Sequence, residues 1–222
     1  MNVPNGRTYD LLMRLPIAGL TLYFLARELE GLRGLVGRHP ALEADIPFLL
    51  SMASRVAVME FLLLLALFFL VRRRPVLKLG TLVPKVTAIL GYSLTLLLLL
   101  LPRAQPNPWL DAASTGLILA GNVACMLALL SLGRSLSILP EARQLVTDGA
   151  YRRIRHPLYL AEEIAMIGVF LQYRSWLAAI LLIVHAAVQL MRIHWEERVL
   201  TQAFPEYKAY CLSSHRLIPG LY

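Results

Sequence analysis

Residues 146–159, VTDGAYRRIRHPLY, decide how this chain is organised. The stretch lies between two apolar runs and places Arg152, Arg153, Arg155 and His156 within five positions. Gly149 predicts a tight turn, because glycine takes positive φ without steric cost. Pro157 has no N–H to donate and is tolerated in a helix's first turn, so a helix is expected to begin there. The order is therefore a turn, a cationic segment, then an aromatic residue entering a new helix. Two readings fit this pattern. One is a basic loop that only fixes membrane orientation; the other gathers donors for an anionic ligand at the bilayer edge. Tyr151, His156 and Tyr159 point to the second, since orientation does not require them.

Outward from this stretch the chain is apolar. Of its 222 residues 58% are hydrophobic and 16% charged, and mean hydropathy is +0.61. A soluble domain carries more charge, so the expected fold is all-α: a single polytopic membrane helix bundle over residues 1–222. The net charge of +8 sits at the ends of apolar runs, which matches membrane orientation and anionic headgroups rather than nucleic acid. Cys125 and Cys211 fit neither a disulfide framework nor a redox pair and are expected to be free thiols. The N-terminal residues lack the pattern of a removable signal, so the first helix is expected to stay.

Six apolar runs are expected to form membrane helices: 11–26, 47–71, 82–101, 112–133, 158–173 and 176–191, the last prolonged out of the bilayer by 192–200. The final two form a hairpin around Arg174 and Ser175. Arg72, Arg73, Arg74 and Lys78 follow the second run, Arg134 to Arg155 the fourth, and Arg192, Arg198, Lys208 and Arg216 the sixth. All these groups fall on one side if both termini are cytoplasmic. Residues 1–133 then supply the N-terminal membrane helices, and 134–222 the basic loop, the hairpin and the tail. Gly116, Ala120, Ala124 and Ala128 fall every four positions and predict a face for close helix packing.

Several polar residues invite chemistry. Arg192 and Glu196 are four apart and share a helix face, whereas Glu197 points roughly 100° away, so only one of the two glutamates is expected to face a ligand. Glu162 and Glu163 sit at the start of an apolar helix, either lining a wet cavity or pairing with Arg152, Arg153 or Arg155. Arg55 and Glu60 carry the same ambiguity, and His185 reads as a packing residue. No HExxH, GxSxG, P-loop or GxGxxG pattern is present, which sets aside soluble nucleotide-binding folds and metalloprotease sites.

These residues, taken in order, resemble the isoprenylcysteine carboxyl methyltransferases and their relatives, the membrane phospholipid methyltransferases. That family has the segment (Q/L)-V-T-x-G-x-Y-x-x-x-R-H-P-x-Y, then a helical hairpin, R-x-x-x-E-E-x-x-L, and Y-x-x-Y near the end. Here these read LVTDGAYRRIRHPLY, RIHWEERVL and EYKAY, followed by LIP. The resemblance covers the C-terminal part alone. Two departures stand out: Ala161, followed by Glu162 and Glu163, stands where a Gly is usual, and Arg143-Gln144 replaces a frequent His.

The resemblance implies an integral-membrane enzyme whose catalytic part, residues 134–222, holds S-adenosyl-L-methionine in a cytoplasmic-side cofactor pocket at the edge of the last helices. It implies cofactor contacts from Arg143, Gln144, Leu145, Val146, Tyr151, His156, Pro157, Leu158, Tyr159 and Glu196, with Arg192 on the methyl acceptor. Arg192 and Glu196 are the catalytic candidates, and Arg192, Glu162 and Glu163 the substrate-binding ones. The chemistry is coherent. The cofactor's carboxylate wants Arg or amide donors, and its ammonium and ribose want a carboxylate such as Glu196. Tyr faces suit a sulfonium. The acceptor is a membrane lipid or lipid-like molecule: by family default an isoprenylcysteine-type carboxylate, alternatively a phospholipid amine or thiol. No nucleic acid, metal or obligatory protein partner is expected. Two other readings are carried. The tail YCLSSHRLIPGLY also resembles the end of NADPH-dependent sterol reductases, and a non-catalytic membrane scaffold would need the charges only for topology.

Overall fold

The computed structural model describes residues 6–38, 46–98, 101, 102, 104, 105 and 107–220. Six long helices follow one another: α1 (Gly6–Arg38), α2 (Ile46–Val71), α3 (Leu82–Leu98), α4 (Pro108–Leu132), α5 (Pro157–Tyr173) and α6 (Trp176–Ala203). A short α7 (Tyr207–Ser213) follows, and β1 (Leu77–Lys78) pairs antiparallel with β2 (Glu141–Ala142). Each expected apolar run lies in one of the six, but bounds differ where capping decides. α4 starts before 112 because the Asn107 side chain accepts the Leu110 N–H at 3.1 Å and the Asp111 carboxylate accepts the Asn107 N–H at 2.9 Å. α1 runs past both ends of 11–26 through charged residues, which apolar periodicity cannot bound. The end of the 82–101 run falls partly on 99 and 100, outside the described residues.

Among the described residues three stretches are long and apolar enough to cross a membrane: Phe48–Val71, Pro108–Ser135 and Trp176–Ala203. The apolar part of α3, Leu82–Gly91, is shorter. α5 has 17 residues and holds Glu162 and Glu163.

The tightest packing joins α4 to α5. A Cβ on Gly121 would lie 2.6 Å from the Ala165 nitrogen, and one on Gly168 would lie 2.8 Å from the Ser114 carbonyl oxygen. Only hydrogen fits at either point. The Ser114 hydroxyl donates to the Gly168 carbonyl at 2.7 Å across this contact. The expected stripe is thus corrected: Gly116 and Ala120 are exposed, and the buried face carries Ser114, Ile118, Gly121, Cys125 and Ala128. Its repeat alternates four and three, the true helical period, where a strict four-residue repeat drifts round the helix. α5 and α6 form the expected hairpin. Arg174 takes the left-handed conformation (φ 44°) and is tied down by Asp111 at 3.1 Å and the Gln105 carbonyl, while the Ser175 side chain caps α6.

At the opposite end, three remote pieces are stitched together. Arg73 N–H donates to the Arg134 carbonyl at 2.8 Å and β1 joins β2, so the segments following α2 and α4 are neighbours. Farther along, residues 153–156 pair with 215–216 of the tail. The basic groups that follow α2, α4 and α6 therefore meet at one end of the bundle.

Candidate functional site

The basic stretch has the local form its residues dictate. Gly149 turns with φ +57°, a Cβ there would meet the Ser131 hydroxyl, and that hydroxyl accepts the Ala150 N–H at 3.1 Å. Pro157 opens α5. Between them a 3-10 turn over Gly149–Arg152 leads into residues that lie along the tail: Arg155 N–H donates to the His215 carbonyl at 2.8 Å, and His215 N–H donates to the Arg153 carbonyl at 2.8 Å. Tyr210 on α7 donates its hydroxyl to the Tyr151 carbonyl. Burial pushes the Tyr151 and Tyr207 phenols well up from their ordinary range and Tyr210 up to about 12, so all three stay protonated donors at neutral pH.

Glu196 and Glu197 diverge as helix geometry requires. Glu197 is a knot for the loop and the tail. Its carboxylate accepts Arg155 Nε at 3.0 Å and Arg216 Nη2 at 2.8 Å, and lies 3.3 Å from His156 Nε2. Glu196 instead faces a cavity, with its Oε2 4.0 Å from His156 Nδ1. The imidazole, almost fully buried, thus stands between the two carboxylates. Its edge also meets the Tyr159 ring, with centroids 5.7 Å apart.

Arg192, one turn before Glu196, lays its guanidinium over the Tyr159 ring at 4.9 Å. Its Nη1 donates to Gln189 Oε1 at 2.6 Å, and Gln189 Nε2 donates to Glu162 Oε2 at 2.6 Å. The arginine fits against α3 because residue 91 is glycine: a Cβ there would stand 3.0 Å from Arg192 Cδ. Glu163 lies 2.8 Å from His185 Nδ1. The two adjacent glutamates are therefore partnered by α6, and the expected pairing with Arg152, Arg153 or Arg155 is corrected. Arg155 goes to Glu197, while Arg152 and Arg153 are exposed.

A cavity of about 490 Å³ joins these pieces. Arg143, Gln144, Leu145, Val146, Tyr151, His156, Leu158, Tyr159, Glu162, Arg192 and Glu196 all line it. Pro157 and Glu163 do not: the first opens α5, and the second is turned to His185. The cavity continues into apolar space between α2, α4 and α5, past Val58, Leu62, Leu65, Ile118 and Val169, to Glu28 and Arg55, which pair at 2.8 Å. Among the polar atoms of its lining residues, His185 Nδ1, Arg192 Nε and Tyr207 Oη are buried with no hydrogen-bond partner among the described residues. Arg55 is thus half of an ion pair, whereas Glu60 is exposed.

Sequence reasoning missed Gln189, buried between Glu162 and Arg192, and the knotting role of Glu197. The spacing of Gln189 to Arg192, three residues on a helix, was a usable signal for the first. Nothing local signals that Glu197 meets residues some forty positions before it and Arg216 after it.

Two proteins similar to this chain are resistance proteins. The nickel-cobalt-cadmium resistance protein NccN of Alcaligenes xylosoxydans xylosoxydans is 33% identical over 82 residues, 36% of this chain and 38% of that one. The cobalt-zinc-cadmium resistance protein CzcN of Cupriavidus metallidurans is 33% identical over 78 residues, 35% of this chain and 36% of that one. The chain thus spans little more than a third of the length of each relative it matches. The reductase resemblance of the tail gains no support from these comparisons. The resemblance to membrane phospholipid methyltransferases is borne out: residues 110–207, from α4 to the start of α7, match the model of the phospholipid methyltransferase family.

Proposed function

We propose that this protein is an integral-membrane methyltransferase that uses S-adenosyl-L-methionine to methylate a lipid-like acceptor. The observation that carries the proposal is the convergence of His156, Tyr159, Arg192 and Glu196, from two separated motifs, on one cavity that continues into apolar space. The family match over 110–207 adds the reaction class. Six membrane crossings, cytoplasmic termini and a cytoplasmic site complete the proposal, on the grounds of charge distribution.

The residues present fit the cofactor. Tyr207 Oη, on the cavity wall, is a buried donor in want of an acceptor. Glu196 offers a carboxylate to an ammonium or ribose, and the backbone of 143–146 together with Tyr151, His156, Leu158 and Tyr159 would enclose the rest. When bound, the cofactor supplies an electrophilic methyl group on a sulfonium. The chain's own part is to align the reactants and keep water out, from which most of the acceleration in such a displacement is available. Arg192, fixed by Gln189 and the Tyr159 face, is placed to orient an anionic group of the acceptor. The apolar space between α2, α4 and α5 suits its hydrocarbon. By family default the acceptor is an isoprenylcysteine-type carboxylate, with a phospholipid amine or a thiol as siblings. Among the described residues no group of three His, Cys, Asp or Glu side chains is placed to hold a metal ion. The proposal takes nothing from the metals in the relatives' names.

Calorimetric titration of the purified protein tests it. S-adenosylhomocysteine should bind and NADPH should not, and Glu196→Gln should weaken binding at least tenfold while Arg192→Ala leaves it unchanged. Incubating membranes with a trideuteromethyl-labelled cofactor, followed by mass spectrometry of extracted lipids, identifies the acceptor. Binding of NADPH instead, or of neither ligand, overturns the proposal.

A further inference from the structure

The cavity has a second polar end, remote from Arg192 and Glu196. Glu28 on α1 and Arg55 on α2 pair on its wall at 2.8 Å, with side chains 32% and 30% exposed, so the pair is not sealed away. Arg55 lies inside the apolar stretch Phe48–Val71, where a formal charge is costly unless it is paired or faces a cavity. The fold makes room for it: a Cβ on Gly31 of α1 would collide with the Arg55 guanidinium. Among the described residues that guanidinium gives one hydrogen bond, to Glu28, and the rest of its planar fork is left to give. Ser51, one turn before Arg55, and Thr115 of α4 line the same cavity.

Helix register places this end. α2 and α4 run the same way and meet where Arg134 Nε donates to the Val71 carbonyl at 2.8 Å. Sixteen positions back from those residues stand Arg55 and Ile118, which are therefore level, and Ile118 packs against Gly168 of α5. From Gly168 back to Tyr159, on whose ring Arg192 lies, α5 runs nine residues, about 14 Å at 1.5 Å per residue. The wall between carries Val58, Leu62, Ala165 and Met166. Asn122, at the same depth, already donates its amide to the Ile118 carbonyl at 2.9 Å.

We infer that Glu28 and Arg55 form a second binding subsite, which takes a hydroxyl at the end of the ligand remote from the methyl-transfer site. The inference deepens the proposed function and rests on it for the group held at Arg192. The charges of the pair cancel, which suits a neutral group better than an ion: a second carboxylate would face Glu28, and an ammonium would face Arg55. A hydroxyl meets both, its oxygen accepting from the guanidinium while its proton is donated to the carboxylate. The ligand is thus a chain amphiphile polar at both ends, with about 14 Å of apolar chain between them.

Calorimetric titration of the full chain in detergent tests this, with ω-hydroxylaurate as the probe and laurate and dodecanedioate for comparison. In a cavity with an apolar end the added hydroxyl would weaken binding, because it gives up water and gains no partner. Against Glu28 and Arg55 it should instead bind about tenfold tighter than laurate, as hydrogen bonds to charged groups allow, and dodecanedioate should gain nothing. The double variant Glu28→Leu with Arg55→Leu leaves neither charge unpaired; it should bind laurate and lose the preference for the hydroxyl. ω-Hydroxylaurate no tighter than laurate, a larger gain for dodecanedioate, or a preference that survives in the double variant overturns the inference. The comparison within the parent decides even where that variant fails to fold. S-adenosylhomocysteine, titrated separately, keeps the two claims apart: failure to bind the parent sinks the methyltransferase reading, whereas the hydroxyl preference is measured without it.

Discussion

Adjacent glutamates on α6 should fail in opposite ways, and Glu197→Ala is the more telling substitution. Its carboxylate holds Arg155 and Arg216 and adjoins His156; the Glu197 side chain is 19% exposed, Arg155 12% and His156 2%. Removing one partner of a buried ion pair costs roughly 3–5 kcal/mol, an exposed pair at most about 1. A carboxylate four-fifths buried with two arginines lies nearer the first, so about 3 kcal/mol is the expected cost. At about 1.4 kcal/mol per decade, that raises the open population of the 152–156 segment roughly a hundredfold. Trypsin reads this out directly, because Arg152 and Arg153 are exposed in sequence next to the clasp. When opening is fast relative to cutting, cleavage follows the open population. Cleavage after Arg152 and Arg153 should therefore quicken about a hundredfold in Glu197→Ala, by the same conversion. Glu197→Gln keeps one carbonyl acceptor and should quicken it less. Glu196→Gln should leave the tryptic rate at that of the parent while weakening S-adenosylhomocysteine binding. Cleavage of Glu197→Ala within threefold of the parent, or equally fast cleavage of Glu196→Gln, would refute the division of roles.

Gly121→Ala should destabilise the bundle by about 1–3 kcal/mol, since overpacking forces α4 off α5, whereas Gly116→Ala, with open space around it, should not; thermal unfolding in detergent compares them. Tyr210→Phe should lose about 1 kcal/mol and speed tryptic cleavage several-fold, by removing the hydroxyl that bonds the Tyr151 carbonyl. The pH dependence has a definite sign: the folded pKa of Tyr210 is raised from 10.0 to about 12, so its contribution is full below pH 10 and lost as pH rises through 12. The difference between parent and Tyr210→Phe should accordingly stay flat from pH 6 to 9. Gly91→Val should push Arg192 from its seat, lowering methyl transfer while S-adenosylhomocysteine affinity holds; a parallel loss of both would show that Arg192 also holds the cofactor.

What was legible in the sequence is what short-range chemistry decides. Gly149 and Pro157 announced the turn and the helix start, because each restricts or frees its own backbone. Arg192 and Glu196 share a face through helical spacing, and the hairpin at Arg174-Ser175 follows from two apolar runs with nothing between them. The illegible parts depend on which remote segments meet. Glu197 cannot be read as a clasp until the tail's Arg216 and the loop's Arg155 are brought to α6, and the buried side of α4 could not be chosen from small residues alone. Ala120 and Gly121 are both small; what buries one and exposes the other is the neighbour, α5, with its own Gly168 at the crossing.

His185 shows the same limit from the other side. Taken singly, a histidine in an apolar helix reads as packing, and Glu163 as a carboxylate looking for the nearest arginine. Both readings assign each residue its most ordinary partner, and both treat charge as something to be neutralised locally. The folded chain pairs them with each other across α5 and α6, and spends the abundant arginines at the end of the bundle. An acidic residue that takes a buried imidazole rather than a guanidinium for its partner gives up attraction, because histidine is not fixed in its charge.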